Sequence, residues 1–452
     1  MNNVLMLVAA ITFGGVLTIL VITHPYYGVA FTAASLPILD LLPEIPYFSS
    51  IVPLIGAITI IGYLFKKRTK PFKFNYVYLF SLLFVAWIFV SNPQAAWFGS
   101  ERNWFFTFIQ LWALLFLSGE LLDTPEKQKI VMLIFSISAV ASAFYALQNA
   151  GQSVNFETYM IDEAGLTDNA NAAARYFTIA MVFITYLRST QKNQFVKVIG
   201  LLGIFLTYVG VLVTLSRTGV ILLTIAQGLI IILEPQRKQK FSLVLAFSMA
   251  LVVVFLFSEN LFKYLESFVP AIQQGTDTVG VRYNLWRSGW NMWIDHPIKG
   301  VGIGMFINKV GPYIYQLEGP HLWRAVAHNT YIQVLSETGI VGFFLFMLLV
   351  FYSLRNLILS KLKTMELLKI RNVWLIVLMV MLIGGITKSD HADKLSWMVM
   401  GISVFFANLR NSVTQISTQS KASFQGFTTP SSILKELQTT HRLSEGQSAD
   451  HE

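Results

Sequence analysis

The stretch Ala327-His328-Asn329-Thr330-Tyr331-Ile332-Gln333-Val334-Leu335-Ser336 puts one histidine at a polar helix start, just ahead of Glu337-Thr338-Gly339 and a long apolar run. A neutral imidazole accepts a proton from a hydroxyl, so His328 reads as a general base or as a group that orients an acceptor, with Asn329 beside it. The competing reading is a histidine that only pins the start of the next helix. His321 and Arg324 precede it. His321 and His328 lie seven apart on one helix face, but the pair has neither a recognised zinc spacing nor a nearby carboxylate, and no metal or other cofactor is assigned.

Three arginines at the edges of apolar runs call for anions. Arg217 stands in Thr214-Leu215-Ser216-Arg217-Thr218-Gly219, a polar interruption between two apolar segments with almost no loop. An unpaired arginine costs on the order of 3 kcal/mol at the bilayer centre and less near its edge, so Arg217 needs a phosphate, from a substrate or from lipid. Arg282 opens a segment in which Tyr283, Trp286, Trp290 and Trp293 recur at near-helical spacing. That spacing predicts a helix with an aromatic face, packed against its surroundings or stacked on a ligand such as a sugar. Arg175 lies about one turn inside an apolar helix entered from a polar loop with Asp162, Glu163, Asp168, Asn169 and Asn171. Its partner is a bound anion or a carboxylate of that loop. Gly300, Gly302 and Gly304 read as a tight connection and not as a nucleotide loop, since no βαβ pattern surrounds them. Lys388, Asp390, His391, Asp393 and Lys394 read as a solvated turn.

The elements that position these residues are membrane helices. With 54% hydrophobic, 14% aromatic and 13% charged residues, the chain has more apolar surface than a water-soluble fold of its size can hide. It contains no cysteine, which excludes disulfides, thiolate metal sites and a cysteine nucleophile. The expected fold is all-α and polytopic, with about twelve crossings of roughly 17–25 residues and one large helical periplasmic loop. Residues 1–257 hold the first nine crossings and 258–336 the loop. Residues 337–410 hold the last three crossings, and 411–452, rich in Ser, Thr, Gln and charge, form a disordered cytoplasmic tail. Tyr26 to Leu42 is apolar but carries Pro37 and Asp40 and reads as an interfacial segment in preference to a further crossing.

Basic clusters at Lys66–Lys73, Arg188–Lys197, Arg237–Lys240 and Arg355–Arg371 fall on one face of that topology and mark it as cytoplasmic. They account for most of the net charge of +9, with anionic lipid as a further contact, and leave no need for a nucleic-acid partner. The unusual polar residues gather on the opposite face. A transporter would place paired ionisable groups near the midplane in broken helices, a different distribution.

Ser216-Arg217-Thr218-Gly219, Arg282 with Trp286, Gly300-Val301-Gly302-Ile303-Gly304, His328-Asn329 and Glu337-Thr338-Gly339-Ile340-Val341-Gly342 occur in the order seen in the O-antigen ligase and polymerase superfamily. Over roughly residues 214–351 the chain resembles that family. The resemblance implies a metal-independent, inverting glycosyltransferase of the bacterial inner membrane, working at its periplasmic side. Its donor would be a glycan on a polyprenyl (undecaprenyl) diphosphate carrier, and its acceptor a lipid A-core or glycan hydroxyl. Arg217, Arg282 and His328 match the family's catalytic positions, and Arg175, Arg324, Trp286 and Asn329 become substrate-binding candidates. A protein O-oligosaccharyltransferase of the same superfamily and a lipid-linked glycan flippase are the alternatives.

Overall fold

The structure is a computed structural model that describes residues 14–42, 51–66, 72–98, 103–148, 154–155, 160–161, 169–233, 278–314, 325–360, 362 and 364–425. Arg324, His321, Asp162, Glu163, Asp168 and the apolar run 241–257 lie outside them. The described chain is helical apart from one two-residue antiparallel pair, Val154 with Ile161 and Asn155 with Met160. In chain order the helices are α1 Gly14–Thr23, α2 Tyr26–Ser35, α3 Val52–Phe65, α4 Tyr76–Ser91, α5 Pro93–Phe98, α6 Trp104–Leu121, α7 Pro125–Gln148, α8 Ala170–Thr190, α9 Gln194–Val213 and α10 Arg217–Leu233. After the undescribed segment come α11 Thr278–Asp295, α12 Phe306–Lys309, α13 Thr330–Ile358, α14 Met365–Gly384 and α15 Lys394–Gln425.

Helix starts follow one local rule. Asn75, Asn103, Asn169, Asn193 and Asn329 each accept a backbone N–H of the first turn through their side-chain oxygen, and Thr364 does the same for α14. Each cap satisfies donors that a helix otherwise leaves orphaned. Among the described residues α6, α7, α9, α13 and α14 are long and apolar enough to cross a membrane, and the chain is a membrane protein.

Helix α8 occupies the centre. Every residue from Ala172 to Tyr186 is buried, and α7, α9, α10 and α14 pack around it. Its run of alanines lets those neighbours come close, which explains why a surrounded helix can be less apolar than the lipid-facing ones. The segment from Tyr26 is buried too: α2 is ten residues, with Gly28 to Ala30 and Thr32 to Ser35 hidden, and a 3-10 turn Leu36–Leu41 follows. At about 1.5 Å per residue α2 reaches half of a bilayer core, short of a full crossing, and it leans on α7. The last helix also departs from expectation. It passes residue 411 and runs to Gln425, because no proline or glycine interrupts 411–425 and Gly426 follows.

The element that sets the site is the clasp between α13 and the connection after α11. Gly339 interrupts α13 with φ 66° and ψ −173°. Around this break, Val301 N–H donates to Ser336 O at 2.9 Å, Gly302 N–H to Glu337 O at 2.9 Å, and Ile340 N–H to Pro297 O at 2.8 Å. The buried Glu337 carboxylate accepts the backbone N–H groups of Gly304 at 2.9 Å and Phe306 at 3.2 Å. Gln333 Nε2 donates to it at 3.1 Å, and Trp87 Nε1 donates to the Thr338 carbonyl at 2.8 Å. Gly300 and Gly339 have positive φ, and a Cβ on either would collide with the facing backbone, at Glu337 and Ile298 respectively. Gly339→Ala is therefore expected to cost about 1–3 kcal/mol in backbone strain alone, seen as a lower unfolding temperature and yield after extraction. Gly228→Ala, where a Cβ meets open space, should match or exceed wild type in the same scan; equal behaviour of the two variants would remove the clasp as a determinant of the fold.

Candidate functional site

Three helix starts meet on one side of the bundle. Ser216 caps α10 by accepting Gly219 N–H at 2.9 Å, and its hydroxyl donates to Asn171 Oδ1 in the first turn of α8 at 2.6 Å. Gly219 lies so close to Ala174 that a Cβ there would collide with the alanine. The Ser-Arg-Thr-Gly sequence thus supplies a cap, a projecting guanidinium and a close helix contact, with Leu215 at φ 52° making the tight turn before it. The third start is α13, where Asn329 Oδ1 accepts Tyr331 N–H at 2.9 Å and Ile332 N–H at 3.1 Å.

The α13 start is fixed to the turn between α14 and α15 through Thr330. Its N–H donates to Gly385 O at 2.7 Å, and its hydroxyl donates to Lys388 O at 2.8 Å while accepting Asp390 N–H at 2.7 Å. Asp390 in turn forms an ion pair with Arg175 Nη1, and Arg175 Nη2 lies 3.3 Å from Asp390 Oδ1 and 3.5 Å from Asp393 Oδ2. Each of the three N-termini is therefore bonded, directly or through one turn, to the next. Their aligned backbone dipoles place partial positive charge on the same region.

The side chains add formal charge. Arg217 is exposed. It lies close enough to Arg282 on α11 that, after burial, its charge is the next cause lowering the Arg282 pKa. Arg282 and Lys388 both act on His328. Burial first, then those two charges, push the imidazole from its ordinary 6.5 down to about 4. Arg217, Arg282 and His328, carried by three separate elements, thus share one electrostatic neighbourhood. His328 itself sits at φ 47°, a left-handed conformation that costs a non-glycine residue energy and is tolerated where surrounding bonds impose it, here those of Asn329 and Thr330. Burial would raise the Asp390 carboxyl, but Arg175, then Lys388, hold it below the usual carboxylate range.

The structure places these residues as follows. Arg175 is 1% exposed and engaged by Asp390 and Asp393, so the carboxylates it meets come from the α14–α15 turn and not from its own loop. That turn is not solvated, since Asp390 and His391 are buried. His391 stacks on Trp104 with ring centroids 5.7 Å apart, and its Nε2 lies 3.7 Å from Glu337 Oε2. Asn329 is buried and committed to capping. The aromatic face of α11 turns outward at Tyr283 and Trp290, while Leu285 and Met292 pack against Val301, Phe306, Val310 and Ala327. Trp286 is half-buried one turn beyond Arg282, and its indole N–H has no acceptor among the described residues. Glu337, Thr330 and Lys388 stood in the motifs read from the sequence, but none was given a role of its own there. The one clue to the turn was two aspartates spaced i, i+3 beside a crossing.

A depressed His328 has a defined pH signature. Its folded pKa lies below the unfolded one, so its contribution to stability is complete above pH 6.5 and is lost as pH falls from 6.5 towards 4. Histidine NMR of the purified protein, with His328→Gln for assignment, should show this ring neutral down to about pH 4; a midpoint near 6.5 would contradict the buried, cation-flanked placement.

Residues 201–347 match the family model described as O-antigen ligase. No curated protein matches the sequence. The matched segment contains Arg217, Arg282, the glycine connection, His328 and the Glu337-Thr338-Gly339 break. Within that segment the motifs fall in the order read from the sequence, and the segment is similar to the O-antigen ligase family.

Proposed function

We propose that this protein is an inner-membrane glycosyltransferase that moves a glycan from a polyprenyl diphosphate carrier to an acceptor hydroxyl at the periplasmic face. The observation that carries the proposal is a run of electrostatic neighbours, Arg217 beside Arg282 and Arg282 beside a histidine kept neutral, on helix starts that are hydrogen-bonded to one another. The family match on residues 201–347 supports the reaction class.

The reaction asks for this arrangement. As the bond from the anomeric carbon to the phosphate oxygen breaks, its electron pair passes to the diphosphate. Guanidinium groups and helix termini held in place lower the energy of that developing charge without having to reorganise. The acceptor oxygen bonds to the opposite face of the anomeric carbon, with inversion, and its proton passes to His328, which is in the base form at neutral pH. Positive side chains here take the part that a metal ion plays in other phosphate-leaving reactions. Trp286 offers a ring and an indole N–H to the glycan.

In this reading the five long helices, the shorter ones and the run 241–257 together make about twelve crossings. Residues 258–336 form the periplasmic loop, in keeping with the basic clusters at the other ends of the helices. Ligation to lipid A-core and polymerisation of repeat units share the donor chemistry and differ only in the acceptor.

Arg217→Ala and Arg282→Ala should each lower transfer by about 10²-fold or more while the protein still inserts, and lysine at either position should rescue only in part, because the two-pronged donor geometry is lost. Near-normal transfer in both alanine variants would remove the clamp. Deletion in the native host, followed by separation of surface glycans on a gel, distinguishes the acceptors: long chains left on the carrier indicate a ligase, single repeats on the core a polymerase.

A further inference from the structure

Lys388 is the charged residue of the site that neither the motif order nor the reaction scheme uses. It lies outside the segment that matches the family model. Its carbonyl accepts the Thr330 hydroxyl at 2.8 Å, two residues beyond His328, and the next but one residue, Asp390, is tied to the same hydroxyl at 2.7 Å. The backbone of Lys388 is thus held beside the histidine while its side chain is 27% exposed.

The ammonium has donors to give. It stands 3.4 Å from Asp390 Oδ1, the oxygen that Arg175 Nη2 also approaches at 3.3 Å. An ammonium carries three N–H donors, and Asp390 engages one direction only. Next to it in the chain the Ser389 hydroxyl is buried with no hydrogen-bond partner among the described residues. Asp390 serves as an anchor: firmly held by Arg175, it keeps the lysine near its position without enclosing it. The lysine's charge already reaches His328, which places it within the field that Arg282 and Arg217 create.

We infer that Lys388 is a further donor-contacting residue, its ammonium bridging Asp390 and the diphosphate of the lipid-linked glycan alongside Arg217 and Arg282. This rests on the diphosphate reading given above. The bridge would hold the leaving group from the α14–α15 turn, a different element from those bearing the two arginines, and would tie donor binding to the Arg175–Asp390 pair. Lysine suits the place because a compact charge on a flexible stem can keep one partner while gaining another.

Inorganic pyrophosphate is the probe, titrated into the full-length protein in nanodiscs of zwitterionic phospholipid. Lys388→Met keeps the stem and removes the charge; it should weaken pyrophosphate about tenfold and flatten the salt dependence, with an unchanged unfolding temperature. Lys388→Arg should stay near wild type. Should Lys388→Met fail to fold, Lys388→Gln serves in the same titration. If Lys388→Met binds as wild type while Arg217→Ala does not, Lys388 is no donor contact and the diphosphate site stands. If Arg217→Ala also binds as wild type, the diphosphate reading itself falls and this inference with it. A lysine that serves lipid headgroups would show unchanged pyrophosphate affinity and lose enrichment of anionic phospholipid in mixed nanodiscs, which also counts against the bridge.

Discussion

Glu337 is a carboxylate with almost no access to solvent, placed within α13 two residues before the break at Gly339. Alone, such a group would be prohibitively expensive to bury. It is tolerated because the glycine connection brings two backbone N–H groups to it and Gln333 a third donor. The same backbone approach requires glycine at 300 and 339, since any side chain there would meet the opposing strand of the clasp. The clasp therefore works in both directions. It fixes where α13 breaks, and by fixing that it fixes where α13 begins, two turns earlier, at Asn329 and His328. Removing the carboxylate would leave three donors without an acceptor in a buried place, at a cost of about 1–3 kcal/mol for each group left unsatisfied.

A second constraint holds the other side. Arg175, buried on the central helix, binds Asp390 and Asp393 across from another element. Buried ion pairs are weak sources of net stability, because desolvation offsets most of the attraction; removing one partner, however, costs about 3–5 kcal/mol. The pair is better understood as a locating pin. Without it the α14–α15 turn would keep only the Tyr176 hydroxyl, which donates to Asp393 at 3.3 Å, among its side-chain hydrogen bonds to α8, and Thr330, which joins that turn to α13, would be held less firmly. The contrast with Arg217 is informative. One arginine is sealed from solvent and matched by carboxylates, the other is exposed at a helix start with Arg282 as its electrostatic neighbour. Two like charges placed near each other are costly at rest, and in the proposed reaction an arriving anion would offset that cost.

The class of fold was legible because it depends on composition and on apolar run length, which are summed properties. Helix starts were legible where a capping asparagine preceded an apolar run. The site was legible to the extent that its residues are odd in place: an arginine between apolar runs, or a histidine at a helix start, shows its demand for a partner in the sequence itself. The partner's identity did not show. Arg175 advertised a need for a carboxylate, but nothing local distinguished Asp390, 215 residues away, from the acids in the adjacent loop. Likewise the run at 388–394 looked hydrated because its residues are polar. Its Asp390 and His391 are buried because α6, α8 and α13 close over them, through Trp104 and Phe108 stacking on His391, Arg175 on Asp390, and the Thr330 hydroxyl bonding the Lys388 carbonyl and the Asp390 N–H. Short-range pattern records what each residue wants, and tertiary packing decides who supplies it.

That division explains why the histidine can be strained. A left-handed non-glycine residue costs on the order of 1–3 kcal/mol and would relax if either flank were loose. On its C-terminal side the Asn329 cap and the Glu337 clasp hold α13; through Thr330, the pinned α14–α15 turn holds the same point. The strain is thus over-determined by two independent anchors, one built from glycines and a carboxylate, the other from an arginine and two carboxylates. Burial first, and the Arg282 and Lys388 charges after it, then keep the imidazole unprotonated at neutral pH. In the reaction proposed above, a neutral base flanked by cations would take a proton more readily once an anion had entered to offset their charge, which would couple proton transfer at His328 to binding of a diphosphate donor.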